Sequence, residues 1–196
     1  MKNFVIVALL LVMISCSGKK TIEGDNYYEQ GEYSKALEAY DKYLSVYPRN
    51  TKTIYNRART HEKLGDNTSA EADLKKLLNL DPDHLLGRIT LGEMDFKAGD
   101  YAQALYEFDL AVESHKQNSI PYAYRAKAKQ KLGKARKALA DYGVSIRLDA
   151  SNGMAYLYRG TLYVSQKKKS AACKDFNRAK ELGVKEADQA LKKYCK

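Results

Sequence analysis

The sequence predicts an all-α fold, an α-solenoid of about five helix-turn-helix units closed by a short C-terminal helix. Three observations carry that expectation. Gly31, Gly65, Gly99 and Gly133 stand 34 residues apart. The same interval links Ala36, Ala70, Ala104, Ala138 and Ala172, then Tyr40, Leu74, Phe108, Tyr142 and Phe176, and the small set Gly24, Ala58, Gly92, Ala126 and Gly160. Within each interval the apolar and small residues recur three and four positions apart in two stretches around a Gly-containing break, which is the period of paired amphipathic helices. Composition agrees. A chain of 196 residues with 44% hydrophobic, 30% charged and only 3 Pro suits one globular domain, excludes disorder over most of its length and is too short for a large multidomain enzyme.

Taken in chain order, the first element is an export signal. Lys2 precedes an unbroken apolar run from Phe4 to Ile14. A helix over that run would be about 16 Å long, roughly half a hydrocarbon core, so it suits a signal peptide over residues 1–15 rather than a membrane span. Met13-Ile14-Ser15-Cys16 resembles the lipobox of bacterial lipoproteins. That resemblance implies that Cys16 is lipidated, palmitate included, and becomes the new N-terminus. It also implies a tether of more than one acyl chain, which is what stable anchoring needs. Residues 16–20 would then be the lipid-anchored linker. Ser17 after the Cys implies, by resemblance to sorting in one bacterial group, an outer-membrane position facing the periplasm.

The repeating elements follow. A Gly at each break supplies the left-handed conformation that ends one helix and lets the chain reverse. The small residue of the first helix and the Ala of the second permit close approach, and the aromatic or Leu four residues later is expected to fill the space between neighbouring units. Pro48 and Pro82 sit where a helix cannot continue. On these residues the chain resembles the tetratricopeptide repeat (TPR) family, which implies a right-handed solenoid over 17–186 with units 17–50, 51–84, 85–118, 119–152 and 153–186. The unit 85–118 carries the strongest match, with Leu91-Gly92, Ala98-Gly99-Asp100-Tyr101, Ala104, Phe108 and Ala111. Departures are the absence of Trp, Lys167 in place of the turn Gly, and Lys116, Ala150 and Val184 in place of Pro. Stacked repeats need a polar-faced end, and residues 187–196 read as that capping helix.

With Cys16 consumed by lipid, Cys173 and Cys195 remain, in a compartment where disulfides persist. Two antiparallel helices folded about residue 184 bring them level. They are expected to form a disulfide that staples the cap to the solenoid, worth about 3 kcal/mol for a loop of this length. Two buried free thiols are the alternative. His61, His84 and His115 fall at unrelated points of their units, with His61 expected to pack, and no metal-ligand spacing is present.

No nucleophile elbow, phosphate loop or dinucleotide fingerprint occurs, which predicts a non-catalytic protein without cofactor. The family resemblance implies a concave groove lined by the first helices, which binds peptides or partner helices. Carried over residue by residue, that groove comprises Tyr55, Arg59 and Lys63, then Ile89, Glu93, Phe96 and Lys97, then Ala123, Lys127 and Lys131, then Leu157, Thr161 and Val164. An exposed Phe96 beside Ile89 is the expected anchor. The Lys and Asn set that grips a C-terminal carboxylate in chaperone-binding relatives is not matched, since Arg59, Glu93 and Lys127 stand there without the Asn pair.

The formal net charge of +10 is unevenly spread, with −3 over residues 1–118 and +13 over 119–196. Lys127, Lys129, Lys131, Lys134, Arg136 and Lys137 read as one basic cluster, and Lys167, Lys168 and Lys169 as another. Export makes nucleic acid an improbable partner. The expected function is that of a membrane-tethered adaptor for other envelope proteins or peptides. The alternative is a binder of anionic cell-wall polymer or lipid through the 119–196 face.

Overall fold

The computed structural model describes residues 22–196. The expected signal peptide 1–15, Cys16 and the linker to residue 20 lie outside the described residues. The described chain is all α-helical and takes the form of a TPR solenoid. Its helices are α1 (Glu23–Glu29), α2 (Tyr33–Val46), α3 (Thr51–Leu64), α4 (Asn67–Leu80), α5 (Leu85–Ala98), α6 (Tyr101–Ser114), α7 (Ser119–Lys131), α8 (Ala135–Leu148), α9 (Gly153–Ser165), α10 (Lys169–Glu181) and α11 (Glu186–Tyr194).

Several helices begin and end for a local reason. Asn50, Asp66, Asp100 and Asn152 accept a backbone N–H of the first turn with their side chains. His84 does the same for α5, its Nδ1 accepting from Gly87 N at 3.0 Å. The breaks between helices at Gly65 and Gly99 adopt φ of +81° and +90°, which only Gly takes without a Cβ penalty. Lys167 takes the same conformation at φ +58° and is the only non-Gly described residue to do so.

The packing of small residue and aromatic differs from expectation. Phe108 was expected to fill the space between units, but its ring lies over Gly92 of its own unit, where an added Cβ would come within 2.6 Å of it. Tyr40 sits the same way over Gly24 and Phe176 over Gly160. Since the two positions lie 16 residues apart on antiparallel helices, the aromatic serves first to lock its own hairpin in these three units. Phe108 then meets the next unit through Tyr124, ring centroids 5.4 Å apart.

A ladder of ion pairs ties hairpin to hairpin. Arg57 Nε and Nη2 donate to both oxygens of Asp73 at 2.7 and 2.6 Å, while its Nη1 reaches Asp41 of the preceding unit at 2.7 Å. Arg125 repeats the arrangement, with Asp141 at 2.8 and 2.8 Å and Asp109 at 3.2 Å. Arg159 binds Asp175 through Nε and Nη2, both at 2.8 Å. Planar two-pronged pairing of this kind is the strong form of the interaction. Asp73, Asp141 and Asp175 are buried, so these carboxylates depend on their guanidinium partners.

The third unit breaks the pattern. Leu91 stands where Arg is expected from the period, and Glu107 is bound instead by Arg88 Nη1 at 2.8 Å. Asp95 nearby has a buried carboxylate oxygen with no hydrogen-bond partner, and burial together with Glu107, Glu71 and Asp100 pushes its pKa up to about 6.

At the C-terminal end α11 covers α9 and α10. Ala187 is fully buried and Tyr194 stacks on Phe176 with ring centroids 6.2 Å apart. Cys173 and Cys195 are bridged, with sulfurs 2.00 Å apart and Cα atoms 5.7 Å apart. No described helix is long and apolar enough to cross a membrane.

Candidate functional site

The first helices α3, α5, α7 and α9 touch one another along one face, and the contacts there cross from unit to unit. The Tyr55 hydroxyl lies 3.4 Å from Thr90 Oγ1, and the Tyr55 ring lies 5.4 Å from the His84 ring. Lys97 Nζ reaches Glu62 at 3.5 Å. The Arg59 guanidinium lies over Tyr28 at 5.1 Å and Tyr55 at 5.9 Å.

The centre of the face is Lys127. Its ammonium lies 4.4 Å from the centroid of Phe96, 5.0 Å from Tyr158 and 6.0 Å from Tyr124, a cage made by α5, α7 and α9 together. Burial pulls the Lys127 pKa down, against the Glu93 carboxylate that holds it up. Burial likewise raises Glu93, opposed by Lys127 and the Tyr124 hydroxyl. Burial raises Tyr124 and Tyr158, the latter to about 12, so both phenols stay neutral donors across the physiological range. The face therefore combines a partly buried cation and a partly buried carboxylate with an aromatic floor. Arg59 and Lys63 on α3, Lys97 on α5 and Lys131 on α7 are exposed, Lys97 being paired with Glu62.

Several expected groove positions are corrected. Ile89 is only 5% exposed and packs with Ala104, Phe108, Ala111 and Ala128, because its side chain turns into the core between units. Ala123 and Leu157 are buried as well. Phe96 is not an exposed anchor but half-buried, held edge-on by Tyr101 with centroids 5.0 Å apart and covered by Lys127. Tyr55, Arg59, Lys63, Glu93, Lys97, Lys127, Lys131, Thr161 and Val164 are at least partly accessible.

The single basic cluster is also corrected. Residues two apart on a helix point about 200° apart. Lys127 and Lys131 belong to the groove side, Lys131 lying 5.8 Å from the Tyr101 ring, whereas Lys129 turns away and binds Asp141 at 2.7 Å with only 14% of its side chain exposed. Lys134, Arg136 and Lys137 are exposed and, among the described residues, pair with no carboxylate. Lys167, Lys168 and Lys169 lie at the α9–α10 turn, where Lys168 approaches the Tyr163 ring at 5.9 Å and Lys169 Nζ donates to the Lys196 main chain.

The aromatic cage and the Arg–Asp ladder were both missed by sequence reasoning. The ladder had a signal: Arg57, Arg125 and Arg159 follow the 34-residue period, and Asp73, Asp141 and Asp175 follow it too. The cage had none, because Phe96, Lys127 and Tyr158 occupy different positions in their units. Among the described residues no group of His, Cys, Asp and Glu side chains could hold a metal ion.

A solenoid of stacked helix hairpins defines a class of repeat proteins, and known sequences and structures agree with that class. The family model described as "Tetratricopeptide repeat" matches residues 27–88. The small glutamine-rich tetratricopeptide repeat-containing protein 2 of Mycosarcoma maydis is 26% identical over 64% of this chain and 36% of its own length. Human DnaJ homolog subfamily C member 7 is 34% identical over 49% of this chain and 19% of its own length. The chain thus spans only about a third or less of the length of these curated relatives. Among solved structures, MamA superposes with a TM-score of 0.69 at 24% identity, covering 86% of this chain and 98% of MamA. YrrB, "a TPR protein with an unusual peptide-binding site", gives 0.64 at 18% identity over 86% of this chain and 88% of its own. At these identities the structural likeness is one of fold.

Proposed function

We propose that the protein is a non-catalytic adaptor, tethered to the bacterial cell envelope through Cys16, that holds a segment of a partner protein along the concave groove formed by α3, α5, α7 and α9. The observation that carries this reading is the cage around Lys127. A cation and a carboxylate, both partly buried, stand beside aromatic rings on an accessible face, where burial disfavours both charged forms. A partner that covers them strengthens their interaction by excluding water. The exposed cations Arg59 and Lys63 on α3 and Lys131 on α7 favour a segment with acidic residues flanking an apolar or aromatic one. The peptide-binding site reported for YrrB supports the same use of the fold. The lipobox-like residues Met13 to Cys16 support the tether, and Ser17 supports the outer membrane facing the periplasm.

Replacing Arg59, Lys63 and Lys131 together by Glu reverses the groove's rim at exposed positions and leaves the core untouched. Partners cross-linked in membranes are expected to fall at least tenfold with this variant and to persist when Lys134, Arg136 and Lys137 are changed instead; the opposite pattern rejects the groove. Labelling with a palmitate analogue is expected to be abolished by Cys16→Ala, and unchanged labelling rejects the tether.

The unpaired Lys134, Arg136 and Lys137 favour a second reading, attraction of this end to anionic cell-wall polymer or lipid. Cosedimentation with anionic vesicles or cell wall that is insensitive to salt and to Lys134→Glu rejects it.

A further inference from the structure

We propose that Arg159 is a binding site for a carboxylate on an acidic segment of a partner protein, in the place that the chain's own carboxylates fill in two other units. The reasoning starts from the ladder. Arg57 and Arg125 each hold two carboxylates, one 16 residues ahead and one 16 residues behind. The one behind lies on Nη1, Asp41 at 2.7 Å and Asp109 at 3.2 Å. Sixteen residues before Arg159 stands Gly143. Arg159 therefore spends Nε and Nη2 on Asp175, and its Nη1 meets no acceptor among the described residues. The place is open as well as unfilled, because a Cβ added at Gly143 would meet nothing within 4 Å.

The third unit makes the vacancy informative. There both halves of the rung change together, Leu91 in place of Arg and Lys75 in place of the preceding carboxylate, so no guanidinium is left half-paired. Only at Gly143 is the carboxylate missing while the guanidinium remains.

The surroundings suit the same ligand. Arg159 has 22% of its side chain exposed and also lines a cavity of about 570 Å³ between α9 and α10, which Gly143 does not border. Tyr156 and Tyr163, whose centroids lie 5.5 and 5.9 Å from the guanidinium carbon, form its walls, together with Lys174 and Arg178. The two acids there are already engaged, Asp175 by Arg159 and Glu181 by Arg178 at 2.9 Å, which leaves Lys174 as uncompensated charge. A carboxylate arriving at Nη1 gains a charge-assisted hydrogen bond in partly dry surroundings, and the tyrosines offer area to the residues beside it. The surplus positive charge of residues 119–196 favours an acidic protein segment as the source. The site does not depend on the groove, since Arg159 lies about 200° around α9 from the partly accessible groove residue Thr161.

The test follows the Arg159 Nε–Hε resonance, assigned with Arg159→Lys, in the ¹⁵N-arginine-labelled full chain held in a neutral detergent. Acetyl-Glu-Phe-Glu-amide is expected to shift it saturably, and the Gln counterpart to bind at least about tenfold more weakly, the loss of one charged hydrogen bond. Gly143→Asp supplies the missing carboxylate from within: its Arg159 resonance is expected to be displaced already and to lose the response, while Gly143→Ser keeps it. A wild-type resonance that the peptide does not move overturns the proposal, as does a Gly143→Asp response equal to wild type. Sodium acetate binding as tightly as the peptide overturns the assignment to a protein segment.

Discussion

In the unit 119–152, α7 and α8 turn at Gly133 with φ +73°, and Arg125 reaches a carboxylate on either side; in 153–186, Lys167 makes the corresponding turn at φ +58° and Arg159 reaches only one. One period thus has two solutions. The inner unit is held by neighbours on both sides, so local chemistry and stacking reinforce each other. In the last described unit a poorer turn at Lys167 and a rung left half-filled toward the preceding unit coexist with a covalent staple and the α11 cap.

The largest effect that separates the two units should come from their arginines. Arg159→Ala strands Asp175, 4% exposed and without a second cation, and is expected to cost about 3 kcal/mol in urea denaturation. Arg125→Ala leaves Lys129 on Asp141 at 2.7 Å, so about half that loss is expected. Equal losses would mean that Lys129 does not substitute.

Reduction, or Cys173→Ala, should cost about 3 kcal/mol and show where the staple acts. Amide exchange in α10 and α11 is expected to rise while α7 and α8 stay protected; uniform loss of protection would show that the last unit is not separately held.

The smallest effect lies in the turns. Lys167→Gly relieves a left-handed residue and is expected to stabilise by less than about 1 kcal/mol, whereas Gly133→Lys should destabilise by about 1 kcal/mol, read as opposite shifts in Tm. Shifts of the same sign would remove the turn from the comparison.

Much of the architecture was legible because it is periodic. Gly65, Gly99 and Gly133 announce breaks, and the Gly92 and Phe108 positions recur at one spacing, so the helices of units 51–84 to 153–186 follow from local rules. Side-chain direction was less legible. Ile89 reads as a groove residue by its position in the unit, yet it points into the core, and Lys127 and Lys129 read as one cluster although half a helical turn separates them. His84 looked incidental because a His N-cap is uncommon beside Asn or Asp.

The sequence by itself determined the helix hairpins, their order and the polar final helix, since these depend on residues three, four and 34 positions apart, within reach of one chain segment. The tertiary structure alone decided which side chains meet across units: the cage of Lys127 by Phe96, Tyr124 and Tyr158, and the open second edge of Arg159 beside Gly143. Those contacts depend on the rotation of one hairpin against the next, which is set by packing and not by spacing along the chain.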